Sequence, residues 1–137
     1  MIYHRTLYNL RICKQALKHT KKVIGEKGEL EAQEYLKDKG YNILETNWRY
    51  SRAEIDIIAK HEEILIFIEV KTRSYEYYGA PENSVSPGKE ALIMDAAQRY
   101  MESIAYDWQI RFDIISIILD KSLKVKRLQH FEDAFFY

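Results

Sequence analysis

Charged side chains interrupt two strongly apolar stretches in the middle of the chain. Side chains alternate between the two faces of a β-strand, so Glu69 and Lys71 share one face of the apolar stretch 64–71. Asp56 interrupts the preceding apolar stretch, residues 53–60, and a short turn makes the two strands antiparallel. Burying an unpaired carboxylate costs several kcal/mol, so these groups need a partner or a metal ion.

A third carboxylate, Glu29, is predicted on the inward face of a neighbouring helix. Glu29, Ala32 and Leu36 recur at i, i+3 and i+7, which places them on one helix face. Clustered carboxylate oxygens suit hard cations such as Mg²⁺ or Mn²⁺. Such an ion can polarise a phosphodiester and generate hydroxide while a lysine orients the water. Without Glu29, the Glu-x-Lys pattern alone favours a simple ion pair at a strand end.

Other chemistries find little support in the sequence. One cysteine, Cys13, and four scattered histidines match no spacing of zinc ligands. The chain has no glycine-rich phosphate loop and no nucleophile elbow, so nucleotide hydrolysis and serine-type acyl transfer are disfavoured. His61, in a predicted turn, and His130, near the C-terminus, are expected at the surface rather than as ligands.

Four cationic residues flank the predicted acidic cluster and are candidates for phosphate binding. They are Arg49, Arg52, Arg73 and Lys89. Arginines at a protein surface are equally often just solvated, so both interpretations stay open for the three arginines. Lys89 is predicted in the first turn of a helix, where the helix dipole disfavours a cation. That placement is suggestive of a phosphate contact.

The elements that must position these residues follow from the hydrophobic pattern. Helices are predicted over residues 28–39 and from the Ser86-Pro87 cap to about Ile104, and strands over residues 41–48, 53–60, 64–71, 110–119 and 123–130, with a loop at 72–85. The order is αβββαββ, without an internal repeat. It predicts an α/β (α+β) domain in which helices flank a mixed central sheet.

Residues 1–24 are predicted as a basic amphipathic helix that precedes a domain of residues 25–137. Residues 1–27 carry seven lysines and arginines against one acid, Glu26. This excess favours an acidic partner, with nucleic acid the commonest, or else a helix that docks on its own acidic domain. An organelle transit peptide, or a helix that docks on a partner protein or on anionic lipid, are the other interpretations.

Length and composition set the outer limits. The chain of 137 residues allows one domain, and its single cysteine gives no reason to expect an oxidising compartment. The longest fully apolar run, Ile64 to Ile68, is far too short to span a membrane. We therefore expect a cytoplasmic protein. Phe131, Phe135 and Phe136 are expected to anchor the C-terminus, although an exposed aromatic tail would serve a homodimer.

A set of short motifs in a fixed order resembles the YraN-like family of bacterial proteins, relatives of the PD-(D/E)XK nucleases and of archaeal Holliday-junction resolvases. The motifs, which span about residues 25–136, are Gly28-Glu29, Tyr35-Leu36, Gly40-Tyr41, Ala53-Glu54-Ile55-Asp56-Ile57-Ile58-Ala59, Ile68-Glu69-Val70-Lys71-Thr72-Arg73 and Arg111-Phe112-Asp113. Ala53 stands where the family usually has glycine, and residues 1–24 have no counterpart in the family pattern.

The resemblance implies a restriction-endonuclease-like fold and a metal-dependent endonuclease that hydrolyses DNA, with branched structures among its candidate substrates. By similarity, Asp56 and Glu69 would ligate Mg²⁺ or Mn²⁺, and Glu29 would complete the acidic shell. Lys71 would orient the attacking water. The alternative is a nucleic-acid-binding module that keeps the fold without cutting, although such a module has no need of the acids.

Overall fold

The computed structural model describes residues 20–135, which form two helices and five strands. The helices are α1 (Lys21–Asp38) and α2 (Pro87–Ser103), and the strands are β1 (Asn42–Tyr50), β2 (Ala53–His61), β3 (Ile64–Arg73), β4 (Ile110–Leu119) and β5 (Val125–Phe131). Each predicted strand and α2 is present within a few residues of its expected bounds. The predicted order αβββαββ is confirmed.

The strands form one mixed sheet in the order β1-β2-β3-β4-β5. Strands β3 and β4 are parallel and are connected through α2, whereas the other neighbouring pairs are antiparallel. Strands β3 and β4 run in the same direction. The segments that follow them, which begin at Ser74 and Asp120, therefore both start at the carboxyl end of these parallel strands.

The helices cover opposite faces of the sheet, and each face has its own apolar core. The core beneath α2 includes Ile55, Ile58, Leu65, Phe67, Ile93, Ala97, Tyr100, Phe112 and Ile114. The core beneath α1 includes Ala32, Leu36, Ile57, Ala59, Ile66, Ile68, Ile115 and Ile117. The alternation predicted for residues 64–71 is therefore confirmed, since odd and even residues of β3 pack on different helices.

Helix α1 differs from the prediction of separate helices over residues 1–24 and 28–39, because residues 21–38 form one helix that runs through Gly25. Thr20 caps this helix, and its side chain accepts a hydrogen bond from the Val23 amide at 3.2 Å. A glycine lowers helix stability by about 1 kcal/mol and need not end a helix that tertiary packing supports. The rest of the predicted N-terminal helix, residues 1–19, lies outside the described residues, as does Phe136. Phe135 is buried and stacks on Phe112 at 5.1 Å.

Gly28 sets the distance between α1 and the end of β3. A Cβ atom added at Gly28 would lie 1.9 Å from Oγ1 of Thr72, so a larger residue must push the helix away from the strand. We expect Gly28→Ala to lower the free energy of unfolding by about 1–3 kcal/mol despite its better helix propensity. Urea denaturation measures this change.

Gly25 provides the matched control in the same helix. A Cβ atom at Gly25 would have no other atom within 4 Å. We expect Gly25→Ala to stabilise the protein by up to about 1 kcal/mol, since only helix propensity changes. Equal stabilisation by both substitutions would contradict the close approach at Gly28.

Candidate active site

Asp56 and Glu69 lie opposite each other where β2 and β3 separate. The last paired residues at this end of the two strands are Ile57 and Ile68. Asp56 precedes Ile57 and Glu69 follows Ile68, so the two acids occupy the next row outward. The two carboxylates that the sequence predicted as partners lie close enough for the charge of Glu69 to raise the pKa of Asp56.

Strand β2 changes its packing at Asp56. Ile55 packs in the core beneath α2, whereas Ile57 packs in the core beneath α1, although strict alternation would give them one face. Asn47 lies opposite Asp56 in the pairing with β1, and its φ of +50° is in the left-handed region that asparagine tolerates. Both strands are thus irregular in this row. Asp56 consequently interrupts the apolar pattern without displacing either core.

The environment of Asp56 disfavours its charged form. Burial is the main reason that the pKa of Asp56 rises to about 8, and the nearby charge of Glu69 raises it further. The Val70 amide opposes this shift by donating a 2.8 Å hydrogen bond to Oδ2 of Asp56. Two buried carboxylates that repel each other form a site that a cation stabilises.

Lys89 supplies a cation to this pair. Its ammonium group contacts Oε1 of Glu69, whose side chain is only 7% exposed. Lys89 lies in the first turn of α2, where the Ser86 side chain caps the helix by accepting from the Lys89 amide at 3.3 Å. The attraction of Glu69 accounts for a lysine at a helix N-terminus, which the dipole alone would disfavour.

Lys71 pairs with a carboxylate that the sequence analysis did not select. Its Nζ lies 3.3 Å from Oε2 of Glu82, and Arg73 Nε lies 2.6 Å from Oε1 of the same residue. Burial tends to raise the pKa of Glu82, but the hydrogen bonds from Arg73 and Lys71 outweigh burial and lower it. Glu82 belongs to the segment between β3 and α2, where no periodic pattern marks an inward-facing residue.

Glu29 reaches the same region from α1. Burial chiefly raises the pKa of Glu29, and the charges of Glu54 and Glu69 add to the effect. With its side-chain nitrogen turned toward the two carboxylates, Asn47 donates to Glu29 Oε2 at 3.0 Å and to Glu54 Oε1 at 2.8 Å. The left-handed residue of β1 is therefore also the hydrogen-bond partner of the helix acid.

An open pocket of about 320 Å³ brings most of the predicted site residues together. Its lining includes Glu29, Glu69, Lys71, Arg73, Glu82 and Lys89. Asp56 is not part of this lining and lies behind it, held by the Val70 amide. Among residues 20–135, no three acidic, histidine or cysteine side chains converge in an arrangement that would hold a metal ion.

Two of the predicted phosphate-binding arginines lie away from the pocket. Arg49 is exposed on β1 and pairs with Glu54 at 3.0 Å. Arg52 is exposed in the turn between β1 and β2. The other two predicted cations, Arg73 and Lys89, are pocket residues.

A second polar cluster lies beneath α1, centred on the fully buried Asp113. Arg111 donates to both of its carboxylate oxygens at 2.8 and 2.9 Å, and the Asp133 amide donates to Oδ1 at 3.0 Å. Nε2 of His130 lies 2.8 Å from Oδ2, while its Nδ1 lies 3.2 Å from the Tyr35 hydroxyl. The prediction of a surface position was wrong for His130, whose side chain is 7% exposed. Its partners Asp113 and Tyr35 are distant in sequence, so no local pattern indicates these contacts.

The fold indicates a class of protein. The element order αβββαββ, with helices on both faces of a five-stranded mixed sheet, is consistent with an α/β nuclease-like fold. Neither helix of residues 20–135 is long and apolar enough to cross a membrane.

The chain belongs to the uncharacterised protein family UPF0102, whose model matches residues 28–117. This membership confirms the predicted relationship to the YraN-like family. The chain is 47% identical over 114 residues to UPF0102 protein FP2501 of Flavobacterium psychrophilum, a match that covers 83% of this chain and 94% of the relative. It is 46% identical to a UPF0102 protein of Christiangramia forsetii, with the same coverage, and 43% identical over 119 residues to UPF0102 protein Cpha266_0037 of Chlorobium phaeobacteroides, covering 82% and 93%.

Proposed function

We propose that this protein is a cytoplasmic, metal-dependent endonuclease that hydrolyses DNA phosphodiesters. The observation that carries the proposal is the buried pair Asp56 and Glu69 beside a pocket that also holds the ammonium groups of Lys71 and Lys89. A module that only binds DNA gains nothing from buried carboxylates, which repel phosphate and cost stability.

The acidic pair fits a hard divalent cation. Asp56 and Glu69 would hold Mg²⁺ or Mn²⁺, which in phosphoryl-transfer sites takes one or two protein carboxylates and completes its shell with water and substrate oxygens. Such an ion would polarise the phosphodiester and lower the pKa of a bound water. Glu29, whose pKa is raised partly by the charge of Glu69, adds negative charge to the same pocket.

The basic residues of the pocket would have separate roles in binding the water and the substrate. Lys71, at the carboxyl end of β3, would orient the attacking water. Arg73, two residues further along the strand, would hold a phosphate oxygen of the substrate. In the substrate complex Arg73 would leave Glu82 for the phosphate and Lys71 would leave it for the water, while Lys89 would neutralise Glu69 in the metal-free protein.

A cleavage panel tests the proposal directly. The full chain is incubated with labelled duplex, single-stranded, flapped and four-way branched DNA, each with Mg²⁺, with Mn²⁺ and with EDTA. We expect cleavage of at least one substrate that depends on the metal. A protein that binds these DNAs but cuts none of them with either ion would instead be a binding module of the same fold.

Metal binding should also be visible in the stability of the protein. We expect Mg²⁺ or Mn²⁺ to raise the melting temperature, because a ligand that binds only the folded state contributes about 2.7 kcal/mol at 100 times its dissociation constant. The double substitution Asp56→Asn/Glu69→Gln should remove this response and should leave the metal-free protein at least as stable, since it removes the repulsion between the two acids. Differential scanning calorimetry gives both values.

The control removes the same charge elsewhere on the protein. Glu31→Gln/Glu34→Gln changes two carboxylates of α1 that form surface ion pairs with Lys27 and Lys37. This variant should keep the full metal response. A response that survives in the site variant would place the metal outside the acidic pair.

A further inference from the structure

A loop rich in tyrosine borders the candidate active site. It comprises residues 74–79, begins directly after Arg73 of β3, and contains Tyr75, Tyr77 and Tyr78. Lys121, in the turn after β4, lies with its ammonium group 5.1 Å from the ring centre of Tyr75. The loop and this turn therefore meet at the carboxyl end of the parallel strands β3 and β4.

The loop has a defined shape that leaves one ring bare. The Tyr77 hydroxyl donates to the Ala80 carbonyl at 2.9 Å, and a Cβ atom at Gly79 would lie 2.4 Å from that hydroxyl oxygen. The guanidinium of Arg73 lies 5.7 Å from the centre of the Tyr77 ring. Tyr78, which follows the anchored Tyr77, is 94% exposed. This is the largest exposure of any large hydrophobic residue in the described chain.

Cations lie at the two tyrosine rings that neighbour Tyr78 in the loop, Arg73 at Tyr77 and Lys121 at Tyr75, while the one acid of the loop, Glu76, accepts a hydrogen bond from the Tyr75 hydroxyl. Arg73 and Lys71, at the end of β3, line the pocket next to the loop. Exposed aromatic rings beside cations are the arrangement with which proteins hold single-stranded nucleic acid, because a base stacks on the ring while the cations contact its phosphates. A base inside a duplex has both faces covered, so only an unpaired base can use such a ring.

We infer that the loop of residues 74–79 stacks an unpaired nucleotide of the DNA on Tyr78, and that the preferred substrate is DNA with a single-stranded segment next to the cleaved bond. This inference rests on the proposed function for the position of the reacting bond. The stacking itself depends only on binding. The loop would thus select flaps, overhangs or branch points over continuous duplex.

The experiment measures binding in EDTA, where no cleavage occurs. Fluorescence anisotropy gives the affinity of the full chain for a single strand, a flapped duplex and a blunt duplex. We expect Tyr78→Ala to weaken binding of the first two by about five- to 150-fold, the loss typical of one stacked base, and to change blunt-duplex binding less than about twofold. Tyr78→Phe should bind like the wild type, because the ring and not the hydroxyl supports the base.

Trp108→Ala is the matched control, because Trp108 is 66% exposed but precedes β4, at the opposite end of the parallel strands. It should bind all three DNAs like the wild type. Equal loss on all three DNAs in Tyr78→Ala, no loss on any of them, or a wild type that binds no single strand would each overturn the inference.

The two proposals fail separately. Flap binding that depends on Tyr78 in a protein that never cuts would refute the nuclease and keep the stacking surface. Metal-dependent cleavage of the flapped duplex, with binding and rate that are the same in Tyr78→Ala, would keep the nuclease and refute the stacking surface.

Discussion

Replacing Lys71 with alanine is expected to lower the single-turnover rate of DNA cleavage by about 10²–10³-fold at saturating DNA, the usual effect of removing one acid–base or charge-stabilising group from an active site. DNA affinity should change little, because one lysine supplies a small part of the total attraction to phosphate. Paired measurements of binding and of single-turnover cleavage separate the two effects.

The neighbouring lysines make this prediction specific. Lys89→Ala should reduce cleavage less, since its contact with Glu69 in the free protein is one that a metal ion would replace. Lys37→Ala, which changes a half-exposed lysine at the far end of α1, should match the wild type. An intact rate in Lys71→Ala combined with a lost rate in Lys89→Ala would transfer the role of orienting the water to Lys89.

The second large effect concerns stability and the cluster around Asp113. We expect Asp113→Ala to lower the free energy of unfolding by about 3–5 kcal/mol, because it removes the buried carboxylate that accepts two hydrogen bonds from the partly buried Arg111 and leaves only the exposed Glu132, at 3.6 Å, beside the guanidinium. His130 and the Asp133 amide lose the same partner. Urea denaturation at pH 7 measures the change. Asp107→Ala, at an exposed position, should stay within about 0.5 kcal/mol of the wild type.

The pH dependence of this effect has a definite sign. Burial tends to raise the pKa of Asp113, but the hydrogen bonds from His130 and Arg111 outweigh it and hold the pKa below its ordinary value. A lowered pKa in the folded state stabilises the protein above about pH 4, and this contribution is lost as the pH falls through the folded pKa. The difference between the wild type and Asp113→Ala should therefore shrink between pH 5 and pH 2. A constant difference would mean that the charge of Asp113 contributes nothing.

The strands could be predicted from the sequence because their pattern is local. Residues 65–69 of β3 are all buried and form a short continuous apolar run that ends at Glu69, and the turn between β2 and β3 follows directly from its composition. The start of α2 could also be predicted from neighbouring residues, because serine is favoured as an N-cap and proline is favoured at the first position of a helix. Ser86 and Pro87 occupy these positions. The helix acid Glu29 followed from its spacing to Ala32 and Leu36, both of which are buried.

The geometry around Asp56 could not be predicted in the same way. Alternation alone puts Ile55 and Ile57 on one face, whereas the two residues pack in different cores next to the left-handed Asn47 of the neighbouring strand. A positive φ at a single asparagine has no periodic signature. The partners of charged side chains are also hidden, because Lys71 has carboxylates within reach on more than one element and the fold decides between them.

The cluster around Asp113 was missed for a related reason. Its members come from α1, β4, β5 and the residues just after β5, and they share no spacing along the chain. Histidine and arginine next to apolar strand residues are compatible with either face of an edge strand. Only the pairing of β4 with β5, which places His130 opposite Ile115, turns His130 toward α1.

The pocket cations are already paired within the protein, and this has a consequence for how DNA binding depends on salt. Lys71 and Arg73 rest against Glu82, and Lys89 rests against Glu69. An ordinary basic residue that neutralises a duplex phosphate releases condensed ions into solution, and the logarithm of affinity then falls with a slope of about 0.9 per contact. A lysine that leaves a carboxylate for a phosphate exposes a new negative charge that gathers cations again. The carboxylates of the pocket thus already act as counterions for its cations. The slope of the logarithm of affinity against the logarithm of salt concentration will therefore indicate fewer phosphate contacts than the bound complex contains.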